Sequence, residues 1–272
     1  MSVRFAAPIL SVLIAASAVG QEAPRENPYD VLGKMLRPFF SVFLIGGQDV
    51  NKAMVLEMKV AQVSGRLPKQ FEGATLRAAV QFPDKVKLEA PVFGESFTVC
   101  RNGPEVWATP GQKVGFLLDQ FKLKPQPTQK ASTPLFLPFT AQQAVFLVAL
   151  FTMENPNVAE MDELNGETCR ILTARLMPEL GKAAKAEDFK AVVWIAPGYV
   201  PRRVEISRND FSAVIDVTAL KFSPALPASE WNPPAGDADV FRTRSEYLEQ
   251  LLYVVVNSLQ AKPGDQPWLN EK

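Results

Sequence analysis

The sequence predicts an α+β fold: one large, strongly curved antiparallel sheet with helices covering its concave side. Three observations lead there. Apolar residues alternate at a period of two in many separate stretches, the connections in the second half are too short for parallel neighbours, and helical patterns stand at the start, middle and end of the chain.

The elements follow in order. "ENPYDVLGKMLRPFFSVFLIG" offers Asn27 as a helix cap, Pro28 at the first helical position and Val31, Met35 and Leu36 at helical spacing, with Pro38 expected to end or kink the helix. The period then changes. Met54, Leu56, Met58 and Val60 alternate with Val55, Glu57 and Lys59, and Val86, Leu88, Ala90 and Val92 alternate with Lys85, Lys87, Glu89 and Pro91. "FEGATLRAAVQF" reads as a strand between them, and "GESFTVCRNGPEVWATPG" as a hairpin turning at Asn102-Gly103. That hairpin puts Cys100 on the side of Ser96 and Thr98, away from Phe97 and Val99.

In the middle, proline-rich "KLKPQPTQKASTPLFLP" predicts a surface loop. "TAQQAVFLVALFTME", capped by Thr140, predicts a helix so apolar that most of its sides are buried. A second short helix is expected through "NPNVAEMDEL" before Asn165-Gly166 turns the chain back into strand. "ETCRILTARLMP", "FKAVVWIAP", "YVPRRVEISR" and "FSAVIDVTALKFSP" are strands, separated by "ELGKAAKAED", Gly198 and Asn209-Asp210. After the proline-rich "PALPASEWNPPAGDADVF", the stretch "TRSEYLEQLLYVVVNSLQ" predicts a terminal helix with Tyr247, Leu251, Val255 and Leu259 on one face.

Composition narrows the function. The chain has 272 residues, 29 basic against 29 acidic side chains and 47% apolar residues, enough for a substantial core. Balanced charge argues against a nucleic-acid partner, since that binding needs cations to neutralise phosphates. Arg4, the apolar run Phe5 to Val19 and the small residues Ala16, Ser17, Ala18 and Gly20 predict a signal peptide over 1–20, with cleavage after Ala18 as the alternative to Gln21 as the mature start. Residues 21–272 then form a single domain with a C-terminal helix and tail. Export to an oxidising compartment makes one bridge, Cys100 to Cys169, the expectation for an even count of two, against the alternative of two buried thiols.

With no histidine, Ser-His-Asp and Cys-His nucleophile systems and the usual zinc sites are excluded, and no phosphate loop or nucleophile elbow is present. The acidic run holding Glu154, Glu160, Asp162, Glu163 and Glu167 lacks the spacing of a calcium loop and reads as a solvated face. Eighteen phenylalanines and four tryptophans remain. Phe93, Phe97, Trp107, Phe146, Phe151 and Trp194 either form a packed core, which composition by itself favours, or line an apolar cavity.

"NGETCRILTARLMPELGKAAKAEDFKAVVWIAPGYVPRRVEISRND", followed after one strand by "FSPALPASEWNPPAGDADVF", resembles the second half of the LolA/LolB-like outer-membrane lipoprotein carrier superfamily; "DKVKLEAPVFGESFTVCRNGPEVWATPG" resembles its first half. The resemblance spans about residues 50–241. It implies an unclosed barrel whose hydrophobic cavity takes lipid or lipoprotein acyl chains, lined here by Leu56, Met58, Leu88, Phe97, Trp107, Phe146, Phe151 and Trp194, with "TAQQAVFLVALFT" as the covering helix. It further implies a periplasmic monomer in transport, with no catalytic residue, metal or cofactor. Cys100 and Cys169 would tie the two halves together under the covering helix. The alternative is an envelope sensor or protein-interaction module on the same scaffold, whose partner is an envelope protein.

Overall fold

Period-two alternation over so much of the chain produces one antiparallel sheet, because each strand has an apolar side that only a neighbouring layer can bury. A computed structural model describes residues 26–43, 51–92, 95–120, 140, 148–156, 159–236 and 239–244. Among them are strands β1 (Ala53–Gly65), β2 (Thr75–Gln81), β3 (Lys85–Val92), β4 (Glu95–Asn102), β5 (Glu105–Thr109), β6 (Phe151–Met153), β7 (Glu160–Leu164), β8 (Glu167–Leu176), β9 (Lys190–Ala196), β10 (Val200–Arg208), β11 (Phe211–Ser223) and β12 (Phe241–Arg244). The order across the sheet is β12-β5-β4-β3-β2-β1-β11-β10-β9-β8-β6, with β7 also on β8.

Two meanders, β1 to β5 and β8 to β11, are thus joined where the first strand of one meets the last of the other. The β1–β11 register runs from Ala53 opposite Ser223 to Gly65 opposite Phe211, with irregularities between Glu57 and Met58 and between Val60 and Gln62 that bend the strand. The sheet does not close: β12 bounds one side, and β6 and β7 take successive stretches of β8 on the other. This is the open α+β sheet expected from the sequence.

Helix α1 (Pro28–Phe43) starts where its cap predicts, the Tyr29 amide donating to Asn27 Oδ1 at 2.9 Å. It runs through Pro38 to Phe43. Helix α2 (Gly111–Gln120) was not legible, because its cap is remote: Asp239 accepts from the Gly111 amide through its carbonyl at 2.8 Å and from the Gln112 amide through Oδ1 at 2.7 Å. A Cβ at Gly111 would lie 2.5 Å from the Phe241 nitrogen, so only glycine admits β12 this close.

Four expectations change. "NPNVAEMDEL" is not helical at its end; Asn165 (φ 53°) and Gly166 (φ 81°) make a tight turn that folds Glu160–Leu164 back on β8 as strand β7. "ELGKAAKAED" contains a short helix, Pro178–Ala184. The terminal helix cannot begin at Thr243, since Phe241–Arg244 pairs with β5; residues 245–272 lie outside the described residues. In "TAQQAVFLVALFTME" only Val148 and Ala149 are helical among the described residues, and Phe151–Met153 is β6.

The bridge expectation is overturned as well: Cys100 and Cys169 are both free, buried thiols. Six strands separate β4 from β8, about 34 Å measured along the sheet at one strand spacing each, while a disulfide needs Cα atoms within about 7 Å. The alternation argument for Cys100 failed because the side opposite Phe97 is itself covered. Cys100 is inaccessible among Ala79, Trp107 and Trp231, its Sγ 3.6 Å from the Trp231 carbonyl oxygen. Burial pushes this thiol up to about 12 and raises Cys169 too, so neither forms thiolate at neutral pH. Maleimide mass tagging in denaturant without reductant is expected to add two tags per chain, and none to Cys100 in native protein; a bridged, untagged chain would overturn the assignment.

Candidate functional site: the helix-bearing apolar face of the sheet

Directly paired residues of antiparallel strands share a face, so the registers sort the side chains. One row runs from Phe241 through Ala108, Val99, Leu88, Ala78 and Leu56 to Leu220, crossing seven strands without a polar side chain. On the next row, Met58 stands between Leu76 and Val217. The far half of the same face carries Ile215, Val204, Val193 and Leu172.

Helices occupy the two ends. Val31, Leu32 and Met35 of α1 pack on Met153, Leu172, Ala174 and Ile195, with Phe151 against that cluster, and Phe39 meets Phe222 edge to face at 5.4 Å. At the other end Val114 of α2 packs on Phe97 and Ala108. Between them Leu56, Met58, Ala78 and Val99 are only half-buried, and Leu88 is 42% exposed. A contiguous row of this kind in a sheet centre is unusual, because the centre is where burial is normally greatest.

Of the eight residues expected to line a cavity, the structure brings Leu56, Met58, Leu88, Phe97 and Phe151 onto this face. Trp107 and Trp194 lie on the reverse one: Trp107 pairs with Cys100 and donates its indole N–H to the Trp231 carbonyl at 2.8 Å, and Trp194 stands opposite Ile171 and Arg203. Phe146 lies outside the described residues. Trp107 had looked available because nothing nearby in sequence covers it; the turn Ala228–Trp231, more than a hundred residues on, does.

That turn is held by an ion-pair network. Glu230 Oε1 accepts from Arg77 at 2.7 Å and Lys87 at 3.4 Å, while Lys87 also pairs with Glu89 at 2.8 Å. Two open grooves of ≈ 630 Å³ and ≈ 500 Å³ flank the network, sharing Glu89 in their walls. The acidic run is dispersed: Glu154 pairs with Arg175 and Lys190, Glu167 pairs with Arg202, and Glu160, Asp162 and Glu163 stand exposed on β7. Among the described residues no group of three potential ligands could hold a metal ion, and no helix is long and apolar enough to cross a membrane.

The position of α1 over the face is set by residues that sequence reading passed over. Glu26, just before the helix, accepts from the Tyr199 hydroxyl at 2.6 Å, from Arg170 Nε, and from Lys34 at 3.4 Å; Lys34 also donates to the Tyr199 hydroxyl at 2.9 Å. The Arg170 and Lys34 cations sit 5.0 Å and 4.8 Å from the Tyr199 ring centre. The Glu26 carbonyl takes the Ala159 amide at 2.9 Å. This cluster fastens the first turn of α1 to β8, to the β9–β10 connection and to the segment before β7.

No protein-family model matches the chain, and no curated protein matches it. Solved structures that match include the lipoprotein LppX of Mycobacterium tuberculosis, at 10% identity and a TM-score of 0.39 over 74% of this chain and 97% of that one. LprF from Mycobacterium bovis matches at 8% identity and a TM-score of 0.38, over 77% and 97%. A domain described as an outer-membrane lipoprotein-sorting protein from Vibrio parahaemolyticus matches at 13% identity and a TM-score of 0.30, over 75% and 95%. The fold and the site described above rest on this chain's own registers and contacts.

The Glu26 cluster makes α1 docking acid-sensitive. Its carboxyl is held below the usual carboxylate range, chiefly by the Tyr199 hydroxyl hydrogen bond and then by Arg170. A depressed carboxylate stabilises the fold above its unfolded value near about 4.3, and that contribution disappears as pH falls through the folded value. Glu26→Gln is expected to lose about 1 kcal/mol at pH 7 in urea melts, with the gap to the unsubstituted protein closing below about pH 4. A pH-independent gap would refute this linkage.

Proposed function

We propose that the chain is an exported, periplasmic lipid- or lipoprotein-binding carrier that holds acyl chains, without catalysis, against the apolar face between α1 and α2. The observation that carries this reading is the row Val99, Leu88, Ala78 and Leu56, which crosses four adjacent strands with half-buried or exposed apolar side chains. Each methylene removed from water contributes about 0.8 kcal/mol, so some ten methylenes laid along the row supply about 8 kcal/mol before the costs of association. Binding in that range is reversible, as a carrier requires.

The signal-peptide pattern over 1–20 and the resemblance of residues 50–241 to the lipoprotein carriers support export and an acyl ligand. Lipid, not peptide, suits the row because it offers no hydrogen-bonding side chain, and an extended peptide laid across the strands would leave its backbone groups unpaired.

Native mass spectrometry of protein purified from an exporting host without detergent is expected to show an added mass of lipid size that organic extraction removes. Leu88→Glu is expected to abolish that mass with stability unchanged within about 0.5 kcal/mol, since Leu88 is 42% exposed. A bare polypeptide, or equal lipid in the variant, would sink the reading.

A further inference from the structure

We propose that the gap between α1 and α2 is a ruler that selects acyl chains of about fifteen methylenes, with Phe39 as the stop on the α1 side. The inference names the ligand length for the site above and rests on the reading of its apolar row as an acyl-chain surface.

Each helix closes the row at a definite strand. On the α2 side Val114 packs on Phe97 and Ala108, and Val99 and Phe241 lie against the same cluster, so α2 closes the row at β4. On the α1 side Leu172 of β8 and Val193 of β9 belong to the cluster of Val31, Leu32 and Met35. Phe39 of α1 is seated on Phe222 of β11, ring centroids 5.4 Å apart and planes at 88°. Phe222 stands two residues along β11 from Leu220, about 7 Å away. Leu220 ends the row on this side, directly opposite Leu56.

Between those stops the row is carried by Leu88, Ala78, Leu56 and Leu220, all half-buried or exposed. From Val99 to Leu220 is four strand spacings, about 19 Å. An extended hydrocarbon with bonds of about 1.5 Å at tetrahedral angles advances about 1.25 Å per methylene, so about fifteen methylenes fill the gap.

Length then becomes affinity. Each methylene laid on the row tightens binding about fourfold while the gap is being filled. A longer chain must leave methylenes in water or part Phe39 from Phe222, whose edge-to-face contact it would have to replace. Neither adds affinity, so the gain stops at the length of the gap.

The test measures how decanoate, dodecanoate, tetradecanoate, hexadecanoate, octadecanoate and eicosanoate displace the fluorescent fatty acid cis-parinaric acid from the intact protein, compared at free monomer concentrations. Affinity is expected to rise about fifteenfold per two-carbon step and to level off at tetradecanoate or hexadecanoate. Levelling before tetradecanoate, or a rise that continues to octadecanoate, overturns the ruler and leaves the carrier reading standing. Failure of cis-parinaric acid to bind at all sinks the carrier reading and the ruler with it. Phe39→Ala, shown to be folded by thermal melts, is expected to move the levelling point to octadecanoate or beyond; Phe39→Leu serves if the alanine variant does not fold. An unchanged levelling point in the folded variant overturns Phe39 as the stop.

Discussion

The antiparallel pairing of β1 with β11 is the constraint on which the other features depend. It is the longest ladder of the sheet and the one that joins residues from opposite ends of the fold, Ala53 beside Ser223. Without it β1 to β5 and β8 to β11 would be two separate meanders, each with an exposed edge strand and half an apolar face. With it Met54, Leu56, Met58 and Val60 of β1 continue a single apolar surface from α2 to α1. The two register irregularities lie within this ladder, so it also sets where the joined sheet bends.

The two faces are then treated differently. On the reverse face, the Ala228–Trp231 turn buries Trp231 to 1% exposure over Cys100 and Trp107, and Arg77 and Lys87 neutralise Glu230 beside it. The aromatic groups there are packed and the charged ones paired, which stabilises the structure. On the helix-bearing face, among the described residues, α1 and α2 pack the ends, and Leu56, Met58, Ala78 and Val99 in the middle are half-buried. A surface kept apolar yet incompletely covered is destabilising by itself, and proteins tolerate that where something is bound. The Glu26 cluster matters here because it fixes α1 at one end of that face by charge and hydrogen bonding in addition to the apolar contacts of Val31, Leu32 and Met35.

Much of this was legible locally. The strands containing Met54, Leu88 and Val204 show their alternation in a few residues, and the turns at Asn165-Gly166 and Asn209-Asp210 announce themselves by residue type. The misreadings share a cause. Cys100 and Trp107 were placed by the character of their own strand, but their burial comes from Trp231. Helix α2 is capped by Asp239, and β7 is a strand because β8 offers it an edge. In each case the deciding partner is remote, or lies in an element whose own assignment was in doubt.

The sequence by itself determined the class of fold, the positions of most strands, the cap of α1 and the absence of histidine chemistry, because these follow from short-range periodicity, local hydrogen bonding and composition. Only the tertiary structure decided which strands are neighbours across the β1–β11 seam, and hence that Leu56, Met58 and Leu88 share a face which Trp107 and Trp194 do not. It also decided that six strands stand between the two cysteines. Face and distance are properties of pairing register, and a register between segments more than a hundred residues apart is settled by the free energy of the whole sheet and its covering layers, with no signature in either strand alone.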